Sequence, residues 1–199
     1  MKKAALILSQ PFERYTPAPF VIAADAGYLR ALEKGIRPDL LVGDFDSLGG
    51  VPKGVETLSV PVEKEFSDGE LGVRQAALRN IDFLEIYGAL GGRPDHFLFN
   101  LHLLKLAHDL GVRAVIRGDD CDLYYTDSTL LLDSSVGDIL SLVPFEGEAH
   151  ILKATGLYYP AEGVTLTKKD TIGLSNRCTA ERVYLAVDRG SLLVIHSFK

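Results

Sequence analysis

Leu40-Leu41-Val42-Gly43-Asp44-Phe45-Asp46-Ser47 sets a short apolar run directly against two carboxylates one residue apart. The apolar part reads as a short strand that ends at the carboxylate pair. In an extended segment side chains alternate with period two, which sends Asp44 and Asp46 off the same side of the chain. Carboxylates held that close repel, and a hard divalent cation such as Mg2+ relieves the repulsion through oxygen ligands. A solvated turn, with Asp and Ser bonding their own backbone, uses the same residue types. The surrounding chain has to decide between the two.

Working outward, the same strand texture recurs at Ala4–Ser9, Phe20–Ala24, Val55–Val60, Phe83–Tyr87 and Val112–Ile116. Helices are expected between several of them. One follows Asp25-Ala26-Gly27, with Leu29 and Leu32 as its apolar face, and stops at Gly35. A second opens on Ser67-Asp68-Gly69-Glu70, which has the form of a capping box, and carries Leu71, Val73, Ala77 and Leu78. A third starts at Pro94, carries Phe97, Leu98, Leu101, Leu104 and Leu110, and closes at Gly111. Strands alternating with helices predict a mostly parallel sheet with helices on its faces. Ligands of such sheets bind outside the carboxyl ends of the strands. Asp25, Asp44 with Asp46, and Gly91-Gly92-Arg93 all follow predicted strands, so three suspect loops open toward one crevice.

From about Asp122 the texture changes to short runs rich in Val, Ile, Leu, Tyr and Thr: Leu123–Thr126, Thr129–Leu132, Ile139–Pro144, His150–Lys153, Val164–Thr167, Arg182–Val187 and Leu192–His196. Asp188-Arg189-Gly190 is a hairpin turn signal. The expectation is an all-β domain, a small antiparallel sandwich or barrel, with its boundary near residues 118–128.

With 199 residues, 47% apolar and 24% charged, the chain can bury a full core as one domain or two. A net charge of −6 argues against a general nucleic-acid binder, which needs a basic face. Met1-Lys2-Lys3 and the apolar run after it are too short for a signal peptide, and no stretch reaches the length of a membrane span. Cys121 and Cys178 are too few for a disulfide framework, which makes a cytoplasmic location the expectation.

Other loops carry chemistry of their own. Val62-Glu63-Lys64-Glu65-Phe66-Ser67-Asp68 brings Glu65 and Asp68 to the head of a helix, where either extends a Mg2+ shell begun by Asp44 and Asp46, and Lys64 reaches a phosphate oxygen. The bland roles are an N-cap at Ser67 and dipole compensation at Asp68. Gly91-Gly92-Arg93-Pro94-Asp95-His96 combines bare backbone N–H groups with an arginine fork at a helix start, and each suits phosphate. Gly118-Asp119-Asp120-Cys121-Asp122 reads as a solvated turn. His108, His150 and His196 show no supporting partners along the chain.

Together these loops resemble the thiamine pyrophosphokinase (thiamine diphosphokinase) family. That family carries an aspartate-glycine loop after an early strand, then GDFDS, a Lys-Asp-x-Thr-Asp-x-Glu loop, GGRxDH with a following Asn, and a late Ser-Asn pair. This chain shows Asp25-Ala26-Gly27, the whole of Gly43–Ser47, Lys64–Glu70, Gly91–His96 with Asn100, and Ser175-Asn176, in that order. The resemblance implies an α/β fold: an N-terminal three-layer Rossmann-like domain over 1–120 with a mostly parallel sheet, binding nucleotide, then an all-β sandwich over 121–199 for thiamine binding and dimerisation. It also implies a homodimer binding the small molecules ATP and thiamine. Mg2+ assists transfer of pyrophosphate from ATP to the hydroxyethyl oxygen of thiamine, releasing AMP. Metal and catalytic roles fall on Asp44, Asp46, Glu65 and Asp68. Nucleotide contacts fall on Asp25, Gly27, Gly91, Gly92, Arg93, Asp95 and His96, and thiamine contacts on Ser175 and Asn176. Glu65 stands where the family has Asp, Ser67 where it has Thr, and Ala26 where it has Gly. With no Trp in the chain, ring stacking falls to Tyr158 or Tyr159. These departures leave two alternatives: a related diphosphokinase acting on another alcohol such as 6-hydroxymethyl-dihydropterin, or a non-catalytic nucleotide- or thiamine-binding protein.

Overall fold

Ala4, Ala5, Leu6 and Ile7 are fully buried, as a strand covered on both faces requires. They belong to β1 (Lys3–Ile7), the middle of a parallel array. The computed structural model describes residues 1–45, 48, 52, 54–59 and 66–198. Two units emerge, Met1–Asp119 and Asp120–Lys199.

The first unit holds β1, β2 (Val21–Ala24), β3 (Leu40–Gly43), β4 (Glu56–Ser59), β5 (Phe83–Tyr87) and β6 (Arg113–Arg117), in the spatial order β6-β5-β1-β2-β3-β4. Every strand pair described in this unit is parallel. Among the described residues three helices connect strands: α1 (Gly27–Glu33), α2 (Asp68–Leu78) and α3 (Pro94–Asp109). On one face Ala5, Ile7 and Val21 pack with Ala31 of α1 and with Phe12, while on the other Gly72 of α2 sits directly over Leu6.

The helix faces differ from expectation. Leu29 and Leu32 are each 45% exposed, and α1 buries Gly27 and Ala31 instead. Leu78 is exposed on α2, Leu98 on α3 and Leu110 just past its end, whereas Leu71 and Val73 of α2 and Leu104 of α3 are buried as expected, Leu104 beside Leu103 and Ala107. Small residues bring a helix axis close to the sheet, so the face with most contact is the one with least side chain. Ser67 does cap α2, accepting from Glu70 N–H at 3.2 Å, while the Glu70 side chain turns to Arg74. Ser67→Ala is expected to destabilise the protein by about 1 kcal/mol, read as a lower urea midpoint with unchanged slope.

The second unit contains β7 (Cys121–Thr126), β8 (Thr129–Asp133), β9 (Ile139–Pro144), β10 (Ala149–Thr155), β11 (Thr165–Leu166), β12 (Asn176–Arg177), β13 (Arg182–Arg189) and β14 (Leu192–Ser197). Its strands run antiparallel in two sets, β12-β9-β14-β7 and β11-β10-β13-β8. Leu140, Leu142, Leu192 and Val194 of the first set share one core with Ile151, Leu166, Val183, Leu185 and Val187 of the second. Three expectations fail here. Asp188-Arg189-Gly190 makes no hairpin, because β13 and β14 belong to different sets and the chain crosses the core between them. Two of the histidines have partners: His150 Nδ1 lies 2.5 Å from Asp188 Oδ1, and His196 Nε2 lies 2.8 Å from Asp138 Oδ2 in a buried pair, with Asp122 opposite His196 on β7. Asp122 is buried within β7, so the solvated-turn reading fails there, while Asp119 and Asp120 form an exposed bend in which Asp119 accepts N–H bonds from Glu13 and Arg14. Cys121 and Cys178 are free thiols.

Candidate active site

The carboxyl ends of β1, β2 and β3 meet the N-termini of α2 and α3 around an open cleft of ≈ 130 Å³. Its walls include Ser9, Asp25, Asp68, His96 and Asn100. Asp25 leaves β2 in the left-handed region (φ 45), and its Oδ1 is shut away from solvent. A carbon placed as Cβ on Gly43 would lie 3.0 Å from Asp68 Oδ1 and 3.3 Å from Asp25 Cβ. Gly43 itself has φ +141, so the chain both needs and exploits a residue without a side chain there. Two carboxyl-bearing residues thus face a cradle whose floor is Gly43, and Asp44 follows it directly. Phe45 (φ 64) is left-handed and buried among Ala23 and Leu41, anchoring this turn from beneath. Asp46, Lys64 and Glu65 lie outside the described residues.

Among the described residues no three His, Cys, Asp or Glu side chains are arranged to hold a metal ion by themselves. The donor set at the cradle nevertheless fits a hard cation. Mg2+ takes one or two carboxylates and leaves its other positions to phosphate oxygens and water, and the donors gathered around Gly43 are carboxylates.

The glycine-rich loop enters from β5. Asn100 on α3 donates from Nδ2 to Ala89 O at 2.9 Å, tying the helix to the loop that precedes it. Pro94 begins α3, and Asp95 accepts from His96 N–H at 2.9 Å and from Nε and Nη2 of Arg93 at 3.1 and 2.6 Å. The Arg93 fork holds the Asp95 carboxyl below the usual carboxylate range, and the His96 amide adds to this. A depressed carboxyl pKa makes the pair complete at neutral pH, to be lost only as pH falls through that lowered value. Observed by NMR, Asp95 is expected to titrate below an ordinary aspartate, and Arg93→Gln to move it back up.

In the second unit Ser175 is left-handed (φ 58), and its N–H donates to Ser141 Oγ at 3.0 Å. Asn176 is buried, with its amide turned inward. Nδ2 donates to Tyr159 O at 2.8 Å, and Oδ1 accepts from Tyr159 N–H at 3.0 Å and Arg177 N–H at 2.8 Å. That grip fixes Tyr158 and Tyr159, which meet edge to face at 5.0 Å and are 63% and 60% exposed. Among the described residues, three of the four left-handed residues other than glycine, Asp25, Phe45 and Ser175, therefore sit in loops singled out for function. Strain of that kind persists where surrounding structure enforces it.

Two family models match the chain: the thiamin pyrophosphokinase catalytic domain over residues 13–116, and the thiamin pyrophosphokinase vitamin B1 binding domain over residues 128–192. The chain belongs to the thiamin pyrophosphokinase family. Among relatives of known sequence, the thiamine pyrophosphokinase of Bacillus subtilis (strain 168) is 28% identical over 184 residues, covering 88% of this chain and 86% of the relative. Thiamine pyrophosphokinase 1 of Arabidopsis thaliana is 25% identical over 229 residues, covering 96% and 85%. The crystal structure of the B. subtilis thiamine pyrophosphokinase superposes with a TM-score of 0.86 at 23% identity over the whole of both chains. The solved structure of thiamin pyrophosphokinase from Candida albicans superposes with a TM-score of 0.85 at 14% identity over 99% of this chain and 90% of that one.

As a member of the thiamin pyrophosphokinase family the protein is an enzyme, a diphosphotransferase. The catalytic-domain match contains the cleft built on Asp25, Gly43, Asp68 and His96, and the vitamin B1 binding match contains Ser175 and Asn176. Reading along the chain overlooked Ser9 of the cleft wall. Its signal was positional: a polar residue just past the end of the fully buried run Ala4–Ile7. Asn176→Ala strands the N–H groups of Tyr159 and Arg177 and is expected to cost about 1–3 kcal/mol for loss of buried hydrogen bonds, read in urea unfolding.

Proposed function

We propose that this diphosphokinase transfers the pyrophosphoryl group of ATP to the hydroxyethyl oxygen of thiamine, releasing AMP, with its chemistry centred on the Gly43 cradle. The observation that carries this reading is the meeting of Asp25 and Asp68 at Gly43, with Asp44 next in the chain, at the strand ends of a parallel array. Asp44 and Asp68, with Asp46 and Glu65, would hold Mg2+. When bound, the ion neutralises triphosphate charge and leaves the β-phosphorus open to attack.

The chain's own groups do the rest. Amides of the Gly91-Gly92 loop and the Arg93 guanidinium take phosphate oxygens, Arg93 exchanging the Asp95 carboxylate for one of them. Lys64 joins them on the phosphate side, Gly27 and His96 bound the nucleotide, and Asp25 orients it. Asp68 accepts the proton of the attacking alcohol. Ser175 and the Tyr158–Tyr159 pair held by Asn176 receive the acceptor. We further read the first unit as a three-layer Rossmann-like domain, the second as a β-sandwich, and the working form as a cytoplasmic homodimer. The exposed side chains of Tyr158, Tyr159, Ile172 and Leu174 support the dimer as surface that a second copy would cover.

The test is AMP formation from ATP under a Mg2+ titration, with thiamine and with 6-hydroxymethyl-dihydropterin offered separately. AMP is expected with thiamine, no reaction with the pterin, and full loss on chelation. AMP formation with the pterin alone would overturn the acceptor assignment.

A further inference from the structure

The strand order β6-β5-β1-β2-β3-β4 reverses direction at β1, since the chain winds outward from β1 to β4 and then returns to lay β5 on β1's other side. The gap between the loops leaving β1 and β5 is therefore the topological switch point, where open α/β sheets bind ligands. Those two loops are zipped together. Leu8 N–H donates to Tyr87 O at 2.8 Å, and Gln10 N–H to Gly88 O at 3.1 Å. A Cβ on Gly88 would fall 2.6 Å from both Leu8 O and Gln10 O, so the backbones touch. Farther out, a Cβ on Gly92 would meet the Gln10 carboxamide, at 2.5 Å from Nε2, 2.6 Å from Cδ and 2.7 Å from Oε1.

The Gln10 amide thus lies on the phosphate-loop glycine, beside Ser9 of the cleft wall, to whose Oγ its Nε2 donates only a long 3.4 Å bond. A carboxamide carries two N–H donors, and this weak bond engages one of them. We propose that Gln10 is a nucleotide-binding residue: its side-chain amide donates to a phosphate oxygen of the bound nucleotide and, by covering Gly92, sets the loop whose amides bind the same phosphates. The proposal rests on the ATP reading given above.

Three variants separate a phosphate contact from simple padding. Gln10→Glu keeps the shape and replaces the donor with a carboxylate. Gln10→Met keeps the bulk over Gly92 and removes the donor. Gln10→Ala removes both. Affinity for a non-hydrolysable ATP analogue, measured by calorimetry with and without Mg2+, is expected to fall at least tenfold for Gln10→Glu and three- to tenfold for Gln10→Met and Gln10→Ala. Melting temperatures and KM for thiamine should stay within error of the parent. Parental affinity in Gln10→Glu or Gln10→Met would overturn the proposal, and so would a melting temperature lowered in step with affinity. If the parent protein itself failed to bind the analogue, the ATP reading would fall first, and the proposal with it.

Discussion

Asp44→Asn is expected to lower kcat by roughly 10³-fold or more, equivalent to about 4 kcal/mol of transition-state stabilisation, while leaving the unfolding midpoint within error of the parent. The substitution keeps size and removes charge. The strand before it is buried at Leu40, Leu41 and Val42, and Phe45 after it is anchored in the core, so the backbone has no reason to move. What changes is the ability to hold a cation against a triphosphate, since a neutral amide oxygen is a far weaker ligand for Mg2+ than a carboxylate. The measurement is coupled AMP release with thiamine as acceptor. Raising Mg2+ should recover part of the loss, because a weakened ligand set is filled by mass action. A variant working within fivefold of the parent would remove Asp44 from the chemistry.

Glu85→Ala is expected to be the most damaging single change to stability, at about 3–5 kcal/mol. Glu85 is 5% exposed in β5, the strand between β1 and β6. Its Oε1 accepts from Nε and Nη2 of Arg117 on β6 at 2.9 and 2.6 Å, and its Oε2 accepts from Tyr87 O–H at 3.3 Å. Tyr87 in turn accepts from Thr16 N–H at 3.2 Å, and burial raises the pKa of its hydroxyl. Truncating Glu85 takes a buried carboxylate away from a largely buried guanidinium and from the Tyr87 hydroxyl. The double variant Glu85→Leu with Arg117→Met removes both charges, and buried ion pairs replaced by apolar residues of similar volume are often neutral or better. Chemical denaturation should therefore place the double variant well above Glu85→Ala. Equal losses in the two would show that the pair contributes through shape alone.

What could be read along the chain was whatever local pattern dictates. Phe83–Tyr87 and Ile139–Pro144 form strands with the expected bounds because dense apolar runs admit few other states. Ser67 caps α2 because a hydroxyl three residues before a backbone N–H is a local arrangement. The carboxylate loop stood out because repulsion between Asp44 and Asp46 demands a reason wherever it occurs. Long-range pairing could not be read. Nothing near Leu29 says that Ala31 is the residue facing the sheet, since hydropathy weighs side chains and close packing rewards their absence. Nothing at Asp188–Gly190 says which sheet the next strand will join. The partner of His196 is 58 positions away, at Asp138. Gln10 is ordinary in sequence and acquires its place from a strand order that only the folded chain displays.

That strand order also has a consequence for how the protein is made. β1 finds its partner β2 quickly, Ala5 pairing with Val21, but its other edge waits for β5, and Lys3 pairs with Phe83. The Lys2–Asp82 bond beside that pairing closes a span of 80 residues. Entropy charges such closures before contacts repay them, which slows non-local parallel pairing. On a ribosome adding about 5–20 residues per second, an apolar central strand stays open along one edge for several seconds. Until the β5 segment emerges, that edge is a template for other chains. The seam that completes the crevice at Gln10 and Gly92 is therefore among the last to close, so nucleotide, by binding only the closed form, would favour completion of the unit that holds it.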